Sequence, residues 1–262
     1  ISIIQGKTIT LVSGTTTLNQ LGDDIIGEAA SDQSGYSVSI SNDGTIVAIG
    51  AVVNDGATGT DSGHVRVYEW DGISWTQLGD DIDGEAAQDR SGWSVSLSSD
   101  GTIVAIGAIQ NNSSTGHVRV YEYDGSSWNQ LGNDIDGEAT SDNFGWSVSL
   151  SSDGTIVAIG GRFNDETDTN AGHARVYEYN GSDWNQLGND IDGEYGDDRF
   201  GYSVSLSSDG TIVAIGGWAN DGAGSSSGHV RVYQYNGYNW YQLGDDIDGE
   251  AAADESGRSI SL

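Results

Sequence analysis

The chain has 262 residues, with 40 Asp and Glu against 9 Lys and Arg, for a formal charge of −31. So negative a surface excludes a phosphate-backbone partner, and nucleic acid drops out as a ligand class. There is no Cys, Pro or Met, which removes disulfides, thiolate metal sites and a cysteine nucleophile from consideration. No apolar run has the length of a membrane span, and no basic, apolar leader occurs in the residues shown. The chain opens on Ile1-Ser2-Ile3-Ile4 without a Met and reads as an excised or trimmed segment. No organic cofactor is expected.

Ile1–Gln5, Thr8–Val12 and Leu18–Leu21 begin the chain as three short β-rich segments. The phrase Leu21-Gly22-Asp23-Asp24-Ile25 then returns at Leu78, Leu131, Leu187 and Leu243, in steps of 57, 53, 56 and 56 residues. Internal repetition at such a period is the signature of a solenoid or propeller. Each period holds four strand-like segments. In the second these are Ser94–Ser98, Thr102–Ile106, His117–Tyr123 and a segment around Trp128–Leu131, with Asp-Gly turns at 100–101 and 124–125. The second strand is apolar on both faces, as in Ile46-Val47-Ala48-Ile49, so successive sheets must stack face to face.

An all-β propeller is predicted, with five blades. Four complete units span 35–79, 92–132, 145–188 and 201–244. A fifth is expected to form from 1–22 together with 258–262, the C-terminal Ser259-Ile260-Ser261-Leu262 closing the ring and hiding its edge. The whole chain is then one domain and a monomer.

Phe144-Gly145 and Phe200-Gly201, each followed by an aromatic and Ser-Val-Ser-Leu, then Val-Ala-Ile-Gly and Gly-His-Val-Arg-Val-Tyr, resemble the FG-GAP repeat family. Ser34, Ser91 and Ser256 stand where that motif has Phe. The usual calcium loop between the first two strands is reduced to a short turn such as Asn42-Asp43-Gly44. The resemblance implies a non-catalytic binding or adhesion module, extracellular or at the cell surface.

The candidate residues fall into three sets. The acidic crossovers supply Asp83, Glu85 and Asp89; Asp136, Glu138 and Asp142; Asp192, Glu194 and Asp198; and Asp248, Glu250 and Asp254. Hard oxygen donors of this kind suit calcium, and Asx turns are the competing explanation. Tyr36, Trp93, Trp146 and Tyr202 open each first strand and form an expected ligand platform. Trp218 and the loop pairs Asn54-Asp55, Asn164-Asp165 and Asn220-Asp221 complete it. His64, His117, His173 and His229 share one repeat position, two residues before an Arg, and are read as a buried network with neighbouring carboxylates.

The leading expectation is a non-enzymatic module that presents its acidic loops to a protein or glycan with calcium assistance. The alternatives are a polysaccharide hydrolase or lyase with carboxylates at the central opening, and a structural scaffold.

Overall fold

A computed structural model describes residues 20–262, so the segments expected at Ile1–Gln5, Thr8–Val12 and Leu18–Asn19 lie outside the described residues. Four similar antiparallel sheets follow one another along the chain. The first contains β1 (Ser34–Ile40), β2 (Ile46–Ala51), β3 (His64–Trp70), β4 (Trp75–Gln77) and β5 (Ile82–Asp83). The second contains β6 (Ser91–Leu97), β7 (Ile103–Ala108), β8 (His117–Tyr123), β9 (Trp128–Gln130) and β10 (Ile135–Asp136). The third runs through β11 (Phe144–Leu150), β12 (Ile156–Gly161), β13 (His173–Tyr179), β14 (Trp184–Gln186) and β15 (Ile191–Asp192). The fourth is made of β16 (Ser203–Leu206), β17 (Ile212–Gly217), β18 (His229–Tyr235), β19 (Trp240–Gln242) and β20 (Ile247–Asp248).

Hairpin chemistry sets the first pairing of each blade. Asp43 Oδ1 accepts hydrogen bonds from the Ser41 and Thr45 hydroxyls and the Thr45 amide, and Asp100, Asp153 and Asp209 repeat the pattern. Gly44 then takes φ +78°, where a side chain would be strained. At the outer edge the fourth strand is split. β4 pairs with the C-terminal half of β3 (Tyr68↔Gln77), the chain bulges through Gly79-Asp80-Asp81, and β5 returns to pair with the start of β3 (His64↔Asp83). Part of the acidic phrase is therefore strand rather than loop.

The cores lie between sheets. Ala105, Val118 and Val120 of the second sheet pack on Phe144, Val157, Ile159 and Trp184 of the third, and two equivalent cores join the other neighbours. This accounts for second strands that are apolar on both faces. The Trp that opens each of β9, β14 and β19 locks one junction: Trp128 Nε1 donates to the Leu78 carbonyl at 2.8 Å, and Trp184 and Trp240 do the same to Leu131 and Leu187. At the inner edge Ser37 Oγ donates to the Gly92 carbonyl at 2.7 Å. There the backbones come so close that a Cβ on Gly50 would run into that carbonyl, and Gly107, Gly160 and Gly216 meet Gly145, Gly201 and Gly257 in the same way.

The five-bladed closed ring is corrected: the described residues form four blades, and no sheet closes them into a ring. Residues 257–262 do run along the fourth blade as a first strand would, with Ser203 Oγ donating to Gly257 O and Leu262 N donating to Ser205 Oγ. They form no strand, however, because no described second strand lies beside them to complete a ladder. Val38 and Ile40 of β1 are 64% and 60% exposed, and no other sheet of the described residues covers them. No helix of the described residues is long and apolar enough to cross a membrane.

Candidate active site

The period of two along β3 puts His64, Arg66 and Tyr68 on one face, while Val65 and Val67 enter the core. The same holds for β8, β13 and β18, and all four His are at most 1% exposed. The bulge in the split outer strand aims an Asp at each ring: Asp81, Asp134, Asp190 and Asp246 lie 3.4, 3.5, 3.5 and 3.4 Å from the Nδ1 of His64, His117, His173 and His229. The preceding crossover adds a Glu. Glu28 lies 3.9 Å from His64 and Glu85 lies 4.0 Å from His117, across the blade junction.

Four groups of three or more donors result, each with its ligand atoms within 4.8 Å of one another: Glu28/His64/Asp81, Glu85/His117/Asp134, Glu138/Glu166/His173/Asp190 and His229/Asp246/Asp248. Such sets have the composition to hold a divalent metal ion. The imidazoles fit that role. Both ring nitrogens of His173 and of His229 are buried without a hydrogen-bond partner, as are His64 Nδ1 and His117 Nε2. Burial pushes His64, His117 and His229 below the ordinary value, which keeps them neutral and able to donate a lone pair.

An Arg stands beside every cluster. Arg175 pairs with Glu138 and with Asp190, and Arg231 pairs with Glu194 and Asp246. Arg66 and Arg119 instead donate to the carbonyls of Ile26 and Asp83 and stay 3.7 and 3.6 Å from Glu28 and Glu85. Burial alone would raise the Asp190 carboxyl, but the nearby His173 ring and hydrogen bonds from Arg175 and Gln186 hold it well below the usual carboxylate range. Beside the first cluster, Asp80, Asp81 and Asp83 face Tyr121 and Trp128 across a groove of about 210 Å³.

At the hub the first-strand aromatics touch in sequence. Ring centroids are 4.7 Å apart for Tyr36–Trp93 and for Trp93–Trp146, and 5.5 Å for Trp146–Tyr202, with Trp218 5.9 Å beyond. Just before two of these rings, Phe144 and Phe200 are fully buried, each edge-on to a cluster histidine, His173 or His229. The glycine that follows each Phe has a φ near +85° and presents its carbonyl to the neighbouring blade. Residues 27–68 and 135–177 match the FG-GAP repeat. The chain carries FG-GAP repeats.

No curated protein sequence matches this chain. Among solved structures, a putative 6-phosphogluconolactonase from Bacteroides uniformis is similar, with 15% identity and a TM-score of 0.56 over 88% of this chain and 60% of that one. The Pseudomonas aeruginosa periplasmic gluconolactonase has 17% identity and a TM-score of 0.54 over 81% and 56%. Kuenenia stuttgartiensis hydrazine synthase has 13% identity and a TM-score of 0.51 over 86% and 53%. At these identities the likeness shows the fold alone, and the chain spans little more than half the length of each of these proteins.

Of the residues expected to bind calcium, Glu85, Glu138 and Asp248 belong to the clusters, and Glu194 pairs with Arg231. Asp83, Asp136 and Asp192 lie on the short outer strands, opposite or beside the His. Asp89, Asp142 and Asp198 are buried, accept the amides of Ala86, Ala139 and Tyr195, and receive Asn111, Asn164 and Asn220. Asp254 accepts the Ala251 amide, and Glu250 is exposed. Among the loop pairs, Asn54 donates to Asp32, and Asp55, Asp165 and Asp221 cap amides of their own loops.

Sequence reasoning did not assign Glu28, Asp81, Asp134, Glu166, Asp190 or Asp246 to a site, and it expected the His to lie in a structural network with neighbouring carboxylates rather than in a shared donor set. Their recurrence at fixed repeat positions was the available signal; the split strand that unites them was not.

Two expectations are corrected here. The non-enzymatic adhesion reading is corrected by four clusters, each a buried histidine among partly exposed carboxylates, that have the composition to hold a divalent metal ion. The labels of cell adhesion, carbohydrate-binding module and calcium find no support. A buried imidazole at the centre of each cluster is a poor donor for calcium, which prefers an all-oxygen shell.

Proposed function

We propose that the chain is a hydrolase acting on a polysaccharide, with its chemistry at the His–carboxylate clusters of the blade junctions. The third junction carries the reading: Glu138, Glu166, His173 and Asp190 supply four donors, and the histidine is fully buried with neither ring nitrogen satisfied. The donor set favours a zinc-like or manganese-like ion over calcium. Such an ion, when bound, supplies an acidified water and a Lewis acid. The chain's own residues supply the rest. Arg175 beside the cluster is placed to orient an anionic oxygen. The acidic, aromatic-faced groove between the first two blades illustrates how a sugar ring is received at a junction, with Trp128 as its platform. Two of the fold neighbours are named as lactonases of sugar acids, so sugar lactones belong beside oligosaccharides in a substrate panel.

The test is calorimetric titration with zinc and with manganese, followed by hydrolysis assays on that panel with and without chelator. Stoichiometric binding with chelator-sensitive hydrolysis is expected. Absence of both metal binding and turnover would overturn the proposal.

A further inference from the structure

Eight arginines lie among the described residues, and they divide evenly between two places. Arg66, Arg119, Arg175 and Arg231 serve the clusters. Arg90, Arg162, Arg199 and Arg258 gather at the hub aromatics. The Arg162 guanidinium carbon lies 3.3 Å from the Trp146 ring centroid and 4.1 Å from that of Phe163. Arg199 lies 5.5 Å from Phe163 and 5.0 Å from Trp218, and Arg258 lies 4.6 Å from Trp218.

In a chain with 40 acidic residues, Arg90, Arg162 and Arg199 make no ion pair with a described carboxylate. Their Nε atoms, and Trp218 Nε1, are buried with no hydrogen-bond partner. A group of buried N–H donors without an acceptor is costly, and an arriving anion removes the cost. Burial, and then the nearness of Arg199, pushes Arg162 down to about 10. Two cations are thus held close together with nothing between them to neutralise either.

We propose that the aromatic–arginine hub binds the carboxylate of a uronate sugar, with Arg162 and Arg199 holding the anion and Trp146 and Trp218 lying against the ring. Guanidinium forks match a carboxylate, and indole faces match the apolar face of a pyranose. The net charge of −31 repels a long polyanion, but beyond about 8 Å that field is screened at physiological ionic strength, so a short oligouronate is the fitting ligand. The inference deepens the polysaccharide reading by naming an acidic sugar as its substrate class, and it rests on that reading for the sugar alone.

The experiment measures tryptophan fluorescence and calorimetric binding in chelator, where no turnover occurs. The probes are trigalacturonate, a neutral galactose trisaccharide and a sulfated galactose trisaccharide. Trigalacturonate is expected to bind about tenfold or more tightly than the neutral probe. Arg162→Gln and Arg199→Gln are each expected to lose about tenfold in that affinity while keeping the parental circular dichroism. Trp218→Phe serves as a second, conservative variant and should weaken binding without changing the charge preference. Equal binding of charged and neutral probes, preference for the sulfated probe, or parental affinity in both Arg variants would each overturn the hub site. Uronate binding without hydrolysis of any substrate in the metal-loaded protein would keep the hub and overturn the catalytic reading. Hydrolysis with no preference for uronates would do the reverse.

Discussion

The rim and the hub of this molecule treat arginine in opposite ways. At the rim each Arg comes from the same repeat position, lies against a Glu of the preceding crossover and helps hold the junction, and Arg175 and Arg231 also pair with an Asp of their own blade. At the hub Arg90, Arg162, Arg199 and Arg258 come from three repeat positions, one shared by Arg90 and Arg199 and occupied by Gln33, Asn143 and Glu255 in the other repeats, and three of the four have no carboxylate partner among the described residues. Repetition yields a joint, used at every junction. Departure from repetition yields a site, assembled once.

The largest expected effect separates the third junction from the other three. Glu166 has no counterpart in the other clusters, so His173→Gln should lower turnover by about 100-fold, whereas His117→Gln should leave most of it. If the four clusters act equally, each variant would instead remove about a quarter of the activity, and rates normalised to bound metal distinguish the two outcomes.

Stability gives the next contrast. Arg175→Met strands Glu138 and Asp190 without their cation and should cost about 1–2 kcal/mol, less than a fully buried pair because Glu138 remains 42% exposed. Arg162→Gln removes no ion pair and relieves repulsion from Arg199, so its denaturant midpoint should match or exceed the parent's. A hub variant as destabilised as the rim variant would erase the distinction.

The rim should also be the part sensitive to mild acid. Burial holds His64, His117 and His229 below their ordinary 6.5. As pH falls through that value the unfolded chain takes up protons before the folded one, so the stability these residues contribute is present above it and declines below it. Thermal midpoints of the metal-free protein should fall between pH 7.5 and pH 5, and a flat profile would contradict the burial argument. The smallest effect belongs to the hairpins. Hydrogen bonds from Ser207 and Thr211 hold Asp209 down at about 2, so Asp209→Asn should lower the thermal midpoint slightly at neutral pH, and the difference should vanish as pH approaches 2.

Much of this was legible in the sequence. The period, the Asp-Gly turns and the doubly apolar second strands dictate stacked four-stranded sheets. Ring closure was not legible, because it depends on whether a distant segment completes a ladder beside Ser259–Leu262. Nor was the split outer strand. Two residues such as Ile82-Asp83 carry no strand signal of their own and pair only because β4 is too short to cover β3. The hub arginines escaped because no repeat position holds Arg throughout there: Arg90 and Arg199 share a position that is Gln33, Asn143 and Glu255 elsewhere, and Arg162 and Arg258 each stand alone at theirs.

The contact of Gly50, Gly107, Gly160 and Gly216 with the next blade's carbonyl also limits how the centre can vary. Main chain, rather than side-chain bulk, sets how close the blades come there. The residues just beyond that contact, Tyr in one blade and Trp in the next, can be exchanged without changing the spacing that holds them. Along the inner edge the blade spacing is constant and the lining replaceable, so the side chains there can vary without moving the blades.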